Sequence, residues 1–190
     1  SPRELWRCAN PEIVLFEFAA TSHRDTDSSG SKYACFSTSE TYKDTYAYQT
    51  AASTYACGED DVLTDAKRDL IANDLMPTAL AWLSKTLSVK PVQGPLRVSE
   101  GIPNSLCYSE DTRYGYVCCA DQVLAEHKDP GVQNADYIVH VTARPFRGSV
   151  VAWAYPCSYD QYSRPISGQL NFVPSSLTSD PGEARMQFIK

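Results

Sequence analysis

The chain has 190 residues, 43% of them hydrophobic, and a net charge of −6, enough to bury one real core but not to build two full domains. A pI near 5.0 leaves no basic stripe of the kind phosphate binding requires, which excludes nucleic acid as a partner. No apolar run approaches the roughly 20 residues of a membrane-crossing helix, so no span is expected within the chain.

Seven cysteines, two of them adjacent at Cys118 and Cys119, include no CxxC pair. That pattern suits disulfides rather than a thiolate metal cluster, and it points to an oxidising compartment, secreted or at a cell surface. The odd count leaves one thiol free or paired outside the chain. There is no N-glycosylation sequon, and the opening Ser1-Pro2-Arg3 reads as a mature or trimmed N-terminus.

In chain order, Glu12 to Thr21 reads as a first strand, because Ile13, Val14, Leu15 and Phe16 form an apolar run too continuous for an exposed edge. His23 to Lys32 is an aperiodic polar loop; its DTDSSG lacks the later glutamate of an EF-hand and is read as exposed. Tyr33 to Tyr55 is crowded with Tyr, Thr and Ser between Cys35 and Cys57. A bridge between those two cysteines would stabilise by about 3 kcal/mol through loop entropy, and the tyrosines are expected to pack locally rather than stack on sugars.

From Thr64 the period becomes helical: Ile71, Leu75, Ala79, Leu83 and Leu87 recur on one face, widened by Leu70, Leu80 and Trp82. Thr64 or Asp65 can cap the start. Pro77 lies inside the pattern and should bend the helix. Pro91 to Pro95 ends it, Leu96-Arg97-Val98 forms a further short strand, and Ser99 to Gly131 reads as loop.

Three strands follow, at Tyr137 to Thr142, Ser149 to Tyr155 and Gln169 to Val173. Pro145 and Gly148 before the second, and Pro156 after it, suit an edge position. Trp153 is either a core aromatic or a cleft-lining one, since alternation does not say which face is which. Asp180-Pro181-Gly182-Glu183 is a helix-start signature. Only Met186, Phe188 and Ile189 follow before Lys190, so a helix is expected to begin that this chain does not finish, as in a truncated or cleaved polypeptide.

The chemistry is sparse. His23, His127 and His140 form no HExxH motif, and His140 in its strand reads as a buried, satisfied histidine. No GxSxG elbow or Gly-rich phosphate loop is present, and Glu59-Asp60-Asp61 reads as a solvated charge run ahead of a helix. These readings give a disulfide-bonded α+β body, a sheet backed by a long kinked helix, without a complete active site: no catalytic residue and no metal ligand of its own.

Against that background, DVLTDAKRDLIANDLMPTALAWLSKTLSVKPVQGPLRV, NADYIVHVTARP and VVAWAYPCSYDQYSRPISGQLNFVP, in that order, resemble the N-terminal part of leishmanolysin, the surface zinc metalloprotease family of the metzincin class. The resemblance covers residues 57–190 well and 1–56 loosely, and it implies one metzincin lobe: a twisted mixed sheet with an antiparallel edge strand, carrying a backing helix. It implies that Val150, Val151, Ala152, Trp153, Ala154 and Tyr155 bind an extended peptide or protein substrate by strand addition. It also implies zinc in the intact protein, on an HExxH helix a few residues beyond Lys190, in the remainder of the same polypeptide or a second chain. For the cysteines it implies Cys35 with Cys57, Cys119 or Cys118 with Cys157, and Cys107 with the other vicinal cysteine, leaving Cys8 for a downstream partner. The competing expectation is a non-catalytic surface or assembly protein on the same scaffold.

Overall fold

The computed structural model describes residues 5–7, 15–18, 33–43, 54–86, 91–98 and 125–177. The strands are β1 (Leu5–Arg7), β2 (Leu15–Phe18), β3 (Thr41–Lys43), β4 (Thr54–Ala56), β5 (Ile138–Thr142), β6 (Ala152–Tyr159) and β7 (Pro165–Phe172). The helices are α1 (Asp65–Leu70), a π turn (Ile71–Leu75), α2 (Met76–Thr86), the short α3 (Ala125–Lys128) and a 3₁₀ turn (Pro174–Ser176). The expected helix start beyond residue 177 and the loop at 23–32 lie outside the described residues.

Five strands form a mixed sheet in the order β1-β2-β5-β7-β6. β2 and β5 are parallel, as are β5 and β7, whereas β6 runs antiparallel to β7 on the outside. The apolar run Leu15-Phe16 sits, as its continuity requires, between two neighbours. The added antiparallel partner β1 carries a sequence, Leu-Trp-Arg, too short to announce itself. Leu96 and Val132 meet only as an isolated bridge, not as the strand expected at 96–98.

Thr64 caps α1, its Oγ1 accepting from the Lys67 N–H at 3.3 Å. Six residues later the helix widens: the Met76 N–H reaches Ile71 O, an i to i−5 bond. The cause is Pro77, which has no N–H and whose ring would press on the carbonyl of Asn73 in a regular helix. The expected bend is therefore a π turn just before the proline.

That extra residue rotates the apolar stripe. Ile71, Ala72, Leu75, Met76 and Leu80 are buried and pack on Val141 of β5, Ala143 just beyond it, Phe172 of β7, and Leu177. Ala79 is exposed and Trp82 is 63% exposed, contrary to the fixed four-residue spacing expected from sequence. A π turn inserts one extra residue, so the buried positions after it shift by one, from 75 and 79 toward 76 and 80, while Leu83 still packs partly against the core.

Between β2 and α1 lies a disulfide-braced hairpin. β3 and β4 pair antiparallel, and Cys35 is bonded to Cys57 with Cα atoms 5.9 Å apart. Tyr42, 1% exposed, packs with both half-cystines and with Tyr55, so these tyrosines do pack locally. Cys35 also bridges Val62, which joins the hairpin to the start of α1.

Candidate functional site

β6 is an edge. It pairs with β7 from Ala152 opposite Phe172 to Tyr159 opposite Pro165, and no described strand lies on its other side. The strand is displaced from the expected Ser149 to Tyr155. It begins at Ala152 and continues through Pro156, because a proline without an N–H is tolerated on an edge and at a bulge. The register slips between Pro156 and Ser158, making Cys157 the extra residue.

Cys157 is buried and disulfide-bonded. With Cys35 and Cys57 joined to each other, its partner is one of Cys8, Cys107, Cys118 and Cys119, all outside the described residues. A cross-link at the bulge ties the edge strand down just where its ladder is irregular.

Of the six residues expected to bind an extended chain, Ala152, Trp153, Ala154 and Tyr155 belong to β6, whereas Val150 and Val151 precede it. Val151 still joins the ladder through its carbonyl, which accepts from the Val173 N–H at 3.0 Å. The register settles the faces. Ala152 and Ala154 stand opposite Phe172 and Leu170, on the side of the sheet that carries α2. Trp153 stands opposite Asn171, on the other side, and is half-buried.

On the α2 side the two alanines leave space. An apolar groove of about 530 Å³ runs between Ala79, Trp82 and Leu83 of α2 and Ala152, Leu170 and Phe172 of the sheet, and Trp153 borders it at the outer edge.

The other side of the sheet is buried and polar. His140, Thr142 and Arg144 from the β5 segment and Ser167, Gln169 and Asn171 from β7 are all nearly inaccessible. The Asn171 carboxamide joins them: its Oδ1 accepts from the Thr142 hydroxyl and from the Arg144 N–H, both at 2.8 Å, and its Nδ2 donates to Arg144 O at 3.1 Å. Gln169 Nε2 donates to Thr142 Oγ1 at 3.2 Å. The Arg144 guanidinium lies 4.5 Å from the ring centre of Tyr33.

His140 lies beside His127, ring centres 5.6 Å apart. Burial, and secondarily the neighbouring His127, pulls its pKa down to about 3, so it is neutral at physiological pH. Among the described residues no group of three or more His, Cys, Asp or Glu is placed to hold a metal ion, and His23 lies outside them. These residues do not fit a zinc site, and the two buried imidazoles belong to the sheet's packing.

Asp160 shows a perturbed carboxylate of a structural kind. It accepts from the Arg164 and Tyr162 N–H groups at 2.9 and 2.8 Å and is paired with the Arg164 side chain. The Arg164 amide first, then Tyr162 and the guanidinium, hold its pKa low, which fixes the β6–β7 turn.

Sequence reasoning missed the polar network. Thr-Ala-Arg at and just beyond the end of β5 and Gln-Leu-Asn in β7 alternate polar and apolar, and alternation ordinarily signals a wetted face. The covering pieces, Tyr33 and α3, come from distant segments without a periodic signature. The available signal was the amide and hydroxyl content of that face: uncharged groups able to satisfy one another when buried.

Comparison with known proteins gives this geometry a context. The leishmanolysin peptidase family matches residues 25–189. Leishmanolysin of Leishmania amazonensis is 33% identical over 123 residues, 65% of this chain and 19% of that protein. Leishmanolysin of Leishmania donovani is 31% identical over 123 residues, again 65% of this chain and 19% of that protein. A leishmanolysin-like peptidase of Drosophila melanogaster is 25% identical over 158 aligned positions, 64% of this chain and 23% of that protein. The chain thus spans about a fifth of the length of the curated relatives it matches, and the family match takes in the disulfide hairpin, the π-interrupted helix and the whole β5–β6–β7 unit: the chain belongs to the leishmanolysin family.

Proposed function

We propose that this chain is the substrate-binding lobe of an extracellular zinc metalloendopeptidase of the metzincin class, secreted or at the cell surface, in which β6 docks an extended peptide by strand addition. The observation that carries this reading is the outer edge of β6, antiparallel to β7 and with no described strand beside it. An edge strand can pair its main chain with an extended peptide, with alternate side chains directed to the two faces. The half-cystines support the compartment.

Zinc ligands and the general base come, on this reading, from outside these 190 residues, which contain no HExxH. What this lobe contributes is binding and orientation. The segment from Val150 to Tyr155 aligns the peptide, and Trp153 packs against its side chains on the face away from α2.

The test uses the intact protein. Stoichiometric zinc by mass spectrometry, with peptide cleavage abolished by a chelator and restored by zinc, is the expected result. Absence of HExxH within about ten residues after Lys190, the distance the family motif implies, would sink it and favour a non-catalytic surface or assembly protein on the same scaffold.

Trp153→Ala provides a local check. Because Trp153 is half-buried and lies off the α2 core, the substitution is expected to raise KM for a peptide several-fold with a loss of about 1 kcal/mol or less in stability. A loss of about 3 kcal/mol or more with unchanged KM would return Trp153 to a purely packing role.

A further inference from the structure

We propose that Asn171, Arg144 and Arg147 are positioning residues that set where the edge strand begins, and hence where a docked peptide lies; this rests on the strand-addition reading above. The β5–β7 ladder ends at Thr142 opposite Asn171. Two residues beyond that point the Asn171 side chain bonds both main-chain groups of Arg144: it accepts from the Arg144 N–H at 2.8 Å and donates to its carbonyl at 3.1 Å. A carboxamide matches a peptide unit in donor and acceptor, so one side chain extends the ladder by two residues.

The connection that follows, residues 145–151, is therefore fixed at both ends by β7: at Arg144 through Asn171, and at Val151 through the Val173 N–H. Its middle is held from a different quarter. The Arg147 guanidinium sits 4.3 Å from the ring centre of Tyr55, on the hairpin braced by Cys35–Cys57. The Arg144 guanidinium sits over Tyr33, two residues before Cys35. Two cation–π contacts thus join the disulfide hairpin to the segment that delivers the chain into β6.

The geometry has a direct consequence for β6. Asn171 is also the register partner of Trp153, so the residue that clamps Arg144 lies beside the central residue of the proposed docking segment. Releasing the clamp frees residues 145–151 to shift, and a one-residue slip would exchange which side chains of β6 face the groove. The motifs T-A-R-P and Q-L-N-F, whose first residues Thr142 and Gln169 lie 27 positions apart, act here as one device.

The experiment compares Asn171→Ala, Arg147→Ala and Arg147→Lys in the intact protein. Arg147 is exposed, so its variants keep the fold even if Asn171→Ala does not. Amide exchange at residues 150–155 is expected to accelerate about tenfold in Arg147→Ala, with the α1–α2 amides unchanged. For a peptide long enough to run along β6, KM should rise about tenfold while kcat per folded molecule stays within about twofold. Arg147→Lys, which keeps a cation over Tyr55, should recover part of both. Unchanged exchange at 150–155, or a lowered Tm with unchanged KM, overturns the proposal. Failure of the wild-type protein to cleave any peptide would instead remove the enzyme reading, and the exchange result would then decide the clamp by itself.

Discussion

Replacing Cys35 and Cys57 together by serine is expected to lower the unfolding free energy by about 3 kcal/mol, the loop-entropy value for closing a segment of this size. The bond joins positions 22 residues apart, and among the described residues between them Tyr42 packs with Tyr55 against the two half-cystines in a small cluster. Such a cluster buries too little to order the hairpin unaided, since a single two-stranded hairpin is at best marginal in water. Total stability of a domain is typically about 5–15 kcal/mol, so this loss is a large share of it. Urea unfolding of the double variant beside the parent measures the loss, with the m-value checking that the same surface is exposed. A midpoint unchanged at constant m would show that the hairpin holds itself.

The same variant has an effect at a distance. Tyr33 and Tyr55 receive the guanidinium groups of Arg144 and Arg147, so loosening the hairpin removes two contacts from the β5–β6 connection. Local opening should appear in residues 145–155 before it appears in the α1–α2 face, whose packing on Val141 and Phe172 takes only the partly buried Phe36 from the disulfide unit. Stability in this molecule is thus divided by the sheet: an apolar helix side, and a polar side held by the disulfide unit.

How far this was legible in sequence depends on which physical signal each piece carries. The helix was readable because its apolar spacing is strong, and Pro77 correctly located its irregularity. The phase shift was not readable, because periodicity cannot say whether a proline is absorbed by a kink or by a π turn that moves Ala79 and Trp82 outward. The edge character of β6 was readable from Pro145, Gly148 and Pro156. Its boundaries were not, because the continuation through Pro156 to Tyr159 depends on the bulge at Cys157, a tertiary feature. β1 and α3 escaped detection for a simpler reason: three and four residues hold too few repeats of a strand or helix period to be recognised. For the proposed docking segment, the residues come from the family resemblance, and the register adds that Trp153 stands opposite Asn171 and the alanines on the groove side.

His140 should make the fold acid-labile over a defined window. Burial, with His127 secondary, lowers its pKa from 6.5 to about 3, so the folded chain keeps it neutral where the unfolded chain protonates it. Above pH 6.5 neither state binds the proton and the residue adds no pH dependence. Below that pH the unfolded state binds more protons, and stability falls by up to about 1.4 kcal/mol per pH unit. The loss ends only as pH drops through the folded value near 3. At pH 5 the cost is therefore about 2 kcal/mol. In His140→Leu that slope is expected to disappear: whatever the substitution does to stability at pH 7.5, the difference from the parent should shift in the variant's favour between pH 6.5 and 4.5. Urea midpoints of both proteins across that range measure it. Parallel pH curves would show that the proton is taken up elsewhere, and that the His127–His140 pair is not what limits the sheet's polar face in acid.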